Sequence, residues 1–102
     1  MGRMETNRIV LEAIARGTCI EAVYNRMKVT LAPHILYTRH DELYVDAVTV
    51  ERDGRPPREV KLGAFKLTGL REVALAGQSF AREPVFDPGD GKYAGVTLFA
   101  VA

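Results

Sequence analysis

The chain of 102 residues has one cysteine, Cys19, two histidines, almost no net charge and no long apolar run. A single thiol closes no internal disulfide, so the fold is not a disulfide scaffold. No apolar stretch approaches the roughly 18 residues of a membrane-spanning helix, and no charged-then-apolar leader opens the chain. With 14 Lys and Arg against 13 Asp and Glu, the overall field cannot by itself steer the protein to nucleic acid or a membrane surface. These absences fit a soluble protein in a reducing, cytoplasmic setting with no membrane partner. The charge that is present is unevenly placed: nine basic and six acidic residues lie between Arg26 and Arg71, against two basic and four acidic from Glu72 onward. The middle of the chain is its basic part.

Groups that carry chemistry are equally sparse. His34, His40 and Cys19 share no metal-ligand spacing, so neither metal nor cofactor is expected. Cys19 lies in an apolar run, where it reads as a small buried hydrophobe. The stretch DPGDG lacks the following helix and the lysine-serine pair of a phosphate loop and reads as a turn. Asp41 with Glu42, and Asp87 with Asp90, are solvated loop carboxylates with nothing to shift their protonation. Without a nucleophile or base in visible partnership, no enzyme activity is expected.

The length suits one domain over residues 1–102, with a core of about 6–77 and a C-terminal extension over 78–102. Residues 1–5 lack any pattern and are expected to fray. Ile9, Val10, Ala13 and Ile14 recur at helical spacing from Thr6 to Arg16; Thr6 or Asn7 can cap the start and Gly17 the end. Short strands follow. Thr18 to Tyr24 alternates, Asn25 and Arg26 supply a tight turn, and a second strand leads to Pro33, which marks a strand end, bulge or edge, then resumes over 34–38. After the polar loop Arg39 to Glu42, Leu43 to Val50 is apolar on both faces and is expected to be the central strand. Asp53 and Gly54 signal a hairpin, Arg58 to Leu62 returns, and Lys66 to Ala76 is a further apolar segment broken at Gly69. Strands at this spacing predict a small, strongly bent β-barrel. GVTLFAVA at the end predicts an extra strand, added within the chain or exchanged with a second copy.

Tyr24, Tyr37 and Tyr44 lie in strands among basic residues, where they are either half-buried sheet residues with a wet hydroxyl or aromatic faces beside Arg and Lys of the kind that nucleotides and single strands stack upon.

Taken in order, a short helix with Ala13 and Ile14, a strand ending in Tyr24, a basic residue leading to Pro33 and Leu36, the triplet Leu43-Tyr44-Val45 followed by Ala47, and Arg58, Val60, Lys61 and Leu62 resemble a WYL domain over about residues 8 to 75. The family's Trp-Tyr-Leu triplet has Leu43 in place of tryptophan, Gly63-Ala64 replaces its usual Asp-Arg, and Lys28 stands one place early for its basic residue. The resemblance implies an Sm-like, SH3-type barrel, in bacteria usually attached to a DNA-binding helix-turn-helix and taken to sense a ligand through a basic groove. Here the module reads as standing alone. The implied function is a regulatory binding module, linked to transcription, for an anionic ligand such as a nucleotide or short single-stranded nucleic acid, held over Tyr24, Arg26, Lys28, Tyr44, Arg58 and Lys61. The alternative is a protein-interaction module that dimerises or docks on a regulator through its C-terminal strand.

Overall fold

The computed structural model describes residues 3–102, with side chains from Glu5 onward. Helix α1 spans Arg3–Arg16, and its stripe of Val10, Ala13 and Ile14 is sealed from solvent. Gly17 ends it with φ of 68°, a left-handed conformation that glycine takes without strain. The helix begins three residues before the expected Thr6, so neither Thr6 nor Asn7 is its cap. Glu5 sits in the first turn, where the partial positive charge of the helix start favours a carboxylate. Of the residues expected to fray, Met1 and Gly2 lie outside the described residues.

Six antiparallel strands follow: β1 (Thr18–Tyr24), β2 (Met27–Arg39), β3 (Glu42–Arg52), β4 (Leu62–Lys66), β5 (Arg71–Ser79) and β6 (Thr97–Ala100). Three two-residue turns make the meander from β1 to the start of the β3–β4 loop: Asn25-Arg26, His40-Asp41 and Asp53-Gly54 all have positive φ at both positions. Such turns carry the twist that matches paired strands. The order is β4-β3-β2-β1-β5, with β6 also on β2. The central strand is therefore β2, not the expected Leu43–Val50, because β2 alone pairs with three others. β4 lies four residues later than the expected Arg58 to Leu62. Pro56 and Pro57 offer no N–H to a ladder, and the exposed stretch Arg58–Lys61 stays in the loop, so the strand starts only at Leu62.

The result is a mainly β domain whose sheet is not closed. β4 and β5 share no ladder, and a tight turn at Leu67–Gly69 crosses the gap between them, with Leu67 and Leu70 buried on either side of it. The inner face of the sheet, with α1 packed over it, holds Ile20, Ala22, Val29, Leu31, Leu36, Val45, Ala47 and Phe65. Residues 80–101 cover the outer face, where Phe86 and Tyr93 pack against Ile35 and Tyr37.

β2 changes partner along its length. Its ladder with β1 runs to Leu31, and that with β6 starts at Ile35. Pro33, with no N–H to offer, lies between them. On the β3 side, Pro33 faces Ala47 and Ile35 faces Asp46, so His34 is the extra residue of a β-bulge, the local irregularity that Pro33 signalled. No described helix is long and apolar enough to cross a membrane.

Candidate anion-binding groove

The β3–β4 connection builds a groove at one end of the sheet. After the Asp53-Gly54 turn the chain bridges back from Arg55 to Arg52, and Pro56 and Pro57 then hold it extended over the inner face. The open groove has a volume of about 490 Å³ and is lined by Thr49, Arg52, Arg55, Pro56, Pro57, Arg58, Glu59, Lys61, Gly63 and Phe65. Arg52 pairs with Val29, whose side chain belongs to the inner core, so Arg52 leaves the sheet on the groove side. Phe65 is the apolar wall. Tyr24 supports it edge-on, with ring centres 5.0 Å apart and planes at 77°. A Cβ at Gly63 would lie 3.4 Å from the Phe65 ring, in ordinary van der Waals contact, so Gly63 sits directly against that wall.

Four cations and one carboxylate border the groove. Lys61 contacts Glu59 at 3.3 Å with both side chains exposed, an ion pair worth little in water. Among the described residues Arg52, Arg55 and Arg58 make no salt bridge. Their planar guanidinium groups each offer two parallel N–H donors to one phosphate or carboxylate.

The structure brings some of the expected site residues together and separates others. Arg58 and Lys61 line the groove, and Tyr24 backs its wall. Arg26 lies on the β1–β2 turn at the same end of the sheet. Lys28 joins that turn to the β3–β4 loop through its backbone, its N–H donating to the Asp53 carboxylate at 3.3 Å and its carbonyl accepting from Asp53 N–H at 2.8 Å. Its side chain nonetheless points away, since Lys28 and Val29 alternate and Val29 faces inward. Tyr44 is at the far end and on the outer face, stacked on Tyr37 with centres 6.0 Å apart and topped by the Arg39 guanidinium at 5.7 Å. It cannot share a small ligand with Arg58. Arg52 and Arg55 were the groove residues that motif matching passed over, although RDGRPPR packs three arginines around one turn and was the available signal.

A second polar cluster is internal. Asp46, 1% exposed, accepts from the Tyr37 hydroxyl at 2.7 Å and from the Tyr93 hydroxyl at 2.5 Å, and Lys92 reaches it at 3.2 Å. Burial and the neighbouring carboxylate push both phenols far above the ordinary tyrosine range. His34, fully buried in its bulge, bonds through Nδ1 to the Ala32 carbonyl at 2.8 Å and through Nε2 to the Glu83 N–H at 3.1 Å. Because Nε2 accepts, the proton is on Nδ1 and the ring is neutral. Burial between Phe80 and Phe86 holds its pKa below the usual histidine value. Cys19 is buried and its thiol pushed up, so it is a core residue. The bonds to Asp46 and His34 fasten residues 80–101 to the outer face. Among the described residues, no three His, Cys, Asp or Glu side chains gather as a metal site would require.

No protein-family model, curated protein or solved structure matches the chain.

Proposed function

We propose that the chain is a WYL-like binding module that holds an anionic ligand, a nucleotide or a short single-stranded nucleic acid, in the groove between Arg52, Arg55, Arg58 and Lys61, as part of transcriptional regulation. The observation that carries this reading is the convergence of four cations on one apolar-walled groove with a single opposing carboxylate. The return of β5 to β1, and the short turn between β4 and β5, support an SH3-type architecture of the Sm-like kind in a partly open form. Phosphate is the chemistry the groove suits. The arginines grip it by paired hydrogen bonds, and Phe65 with Pro56 and Pro57 gives a sugar or base an apolar surface to lie against.

Fluorescence anisotropy with labelled short single-stranded DNA, RNA and nucleotides, across a salt series, tests it. Binding should weaken with salt, with a log-log slope of at most about −3 if all four cations neutralise phosphates of a single strand. An Arg55→Ala, Arg58→Ala double variant should lose at least about 10-fold in affinity, as two phosphate-gripping charge-assisted contacts would imply, whereas Tyr44→Phe should change nothing. No binding at low salt by the folded protein sinks the proposal.

The alternative, a protein-interaction module acting through its C-terminal strand, has one observation in its favour: Leu98 and Phe99 on β6 are 55% and 38% exposed. It is the weaker reading, because β6 already pairs with β2 within the chain.

A further inference from the structure

β4 is an end strand of the sheet, with β3 on one side and no ladder on the other. Its free edge is only five residues long (LGAFK), and two grooves of opposite charge flank it on the same face. The arginine groove adjoins its Leu62 end through Lys61, Gly63 and Phe65. A second, larger cavity of about 840 Å³ adjoins its Lys66 end, in the gap between β4 and β5. Ile9, Leu43, Leu67, Leu70 and Val73 make the apolar floor of this second cavity, and its charged lining is four carboxylates, Glu5, Asp41, Glu42 and Glu72, against Lys66 and Arg71. Lys66 is already held by Glu42 at 3.2 Å and Glu5 lies 4.0 Å from Arg8 in an exposed, weak pair, which leaves Asp41 and Glu72 with no salt bridge among the described residues, beside Arg71. Both grooves open on the inner side of the sheet, since Phe65 lines one, Leu43 and Leu67 the other, and all three pack with the inner core.

We propose that two copies of this chain pair through the free edges of β4, antiparallel about Ala64, so that the arginine groove of each copy lies against the acidic cavity of the other. An antiparallel strand pair has its two-fold axis perpendicular to the sheet, which keeps the inner faces of both copies on one side. With Ala64 at the axis, Leu62 of one copy stands opposite Lys66 of the other. The five residues of β4 separate the two grooves by about 13 Å at the usual strand rise, so the rotation carries each onto its opposite. Pairing satisfies the unbonded backbone groups of the edge. It also places Arg55 and Arg58 of one copy, and the exposed Val60 between them and β4, beside the carboxylates and apolar floor of the second. The two charge contacts are identical by symmetry, so the assembly closes at two. This inference does not depend on the anion-binding reading. The two meet at the same arginines, however, and a bound polyanion should compete with the second copy.

Native mass spectrometry and sedimentation equilibrium on the full chain, at low and at high salt, provide the first test. The expected result is a dimer at low salt that shifts toward monomer as salt screens the contacts. Charge-swapped variants provide the second. Arg55→Glu with Arg58→Glu, and separately Glu5→Lys with Glu72→Lys, should each dimerise at least 10-fold more weakly, because like charges then meet at both contacts. Mixed one to one, the two variants should form a heterodimer of about wild-type strength, since each contact again joins opposite charges. Circular dichroism verifies that each variant is folded. A monomer at every salt, an assembly larger than two, or a dimer indifferent to both swaps overturns the proposal. So does a dimer abolished by Leu98→Lys, which would place the interface at β6. The anisotropy assay reads ligand binding and the mass reads pairing, so either idea can fail alone.

Discussion

The two faces of the sheet are held by different physics. The inner face is hydrocarbon against hydrocarbon: α1 and the residues packed under it need no partner of specific geometry, and their burial is roughly proportional to area. The outer face is held where residues 80–101 meet β2 and β3 by a few directional bonds to Asp46 and His34. A hydrocarbon core tolerates pH and modest exchange of side chains. A buried carboxylate shared by two phenols and a lysine tolerates neither, because removing one partner strands the others away from water.

The sharpest way to break this comparison is to remove Asp46. Asp46→Ala should cost about 3–5 kcal/mol in urea denaturation, comparable to Ile20→Ala on the inner face at about 2–5 kcal/mol, although it deletes no hydrocarbon packing. Hydrogen exchange should separate the two variants. Losing Asp46 should expose amides of residues 93–101 first, whereas Ile20→Ala should lower protection throughout. If Asp46→Ala leaves that segment protected, the outer face is held by its aromatic packing instead.

Alkaline pH comes next. Unfolded tyrosines lose their protons near pH 10, while Tyr37 and Tyr93 keep theirs in the fold, so the folded state binds more protons and stability falls as pH rises above about 10. The slope should reach about 2.7 kcal/mol per pH unit for the two groups together. The double variant Tyr37→Phe with Tyr93→Phe should flatten that part of the profile, which a series of denaturation curves would show.

Acid produces a smaller effect through His34. The unfolded histidine takes up a proton below about pH 6.5, and the buried ring resists it, so the unfolded state binds more protons and stability is lost as pH falls. The expected slope is about 1.4 kcal/mol per pH unit between the unfolded and folded pKa values. His34→Gln should remove this component from the thermal melting profile, and an unchanged slope would assign it to another group. Smallest of all, Lys66→Ala breaks only the exposed pair with Glu42 and should shift stability by about 0–1 kcal/mol.

Much of the inner face was legible in the sequence. Val10, Ala13 and Ile14 state a helix by their spacing, and Val29 and Leu31 state a strand by alternation. Asn25-Arg26 and Asp53-Gly54 place the turns because few residue pairs accept positive φ twice. The outer face was not legible. Its bonds join Asp46 to Tyr93 and His34 to Glu83, 47 and 49 residues apart, and no local pattern carries a contact of that range. Asp46 sat inside a run read correctly as buried on both sides, yet a carboxylate there announces only that it needs partners, not which ones. The groove was half legible. Arg58, Lys61 and Tyr44 all entered through the same motif, and the fold puts the first two on the groove and Tyr44 at the opposite end.

The handover of β2 from β1 to β6 at Pro33 also sets an order of events during synthesis. β1, β2 and β3 are joined by two-residue turns, and their pairing needs no residue beyond Arg52. The other half of the β2 edge, at 35–37, must wait for Thr97–Ala100. At about 5–20 residues per second, the roughly sixty residues between them represent about 3–12 s in which the apolar stretch His34-Ile35-Leu36-Tyr37 is made but unpaired on that side. A nascent chain of this protein should therefore be most prone to capture by a chaperone, or by another nascent chain, late in translation, and an early stop codon would leave that edge open permanently.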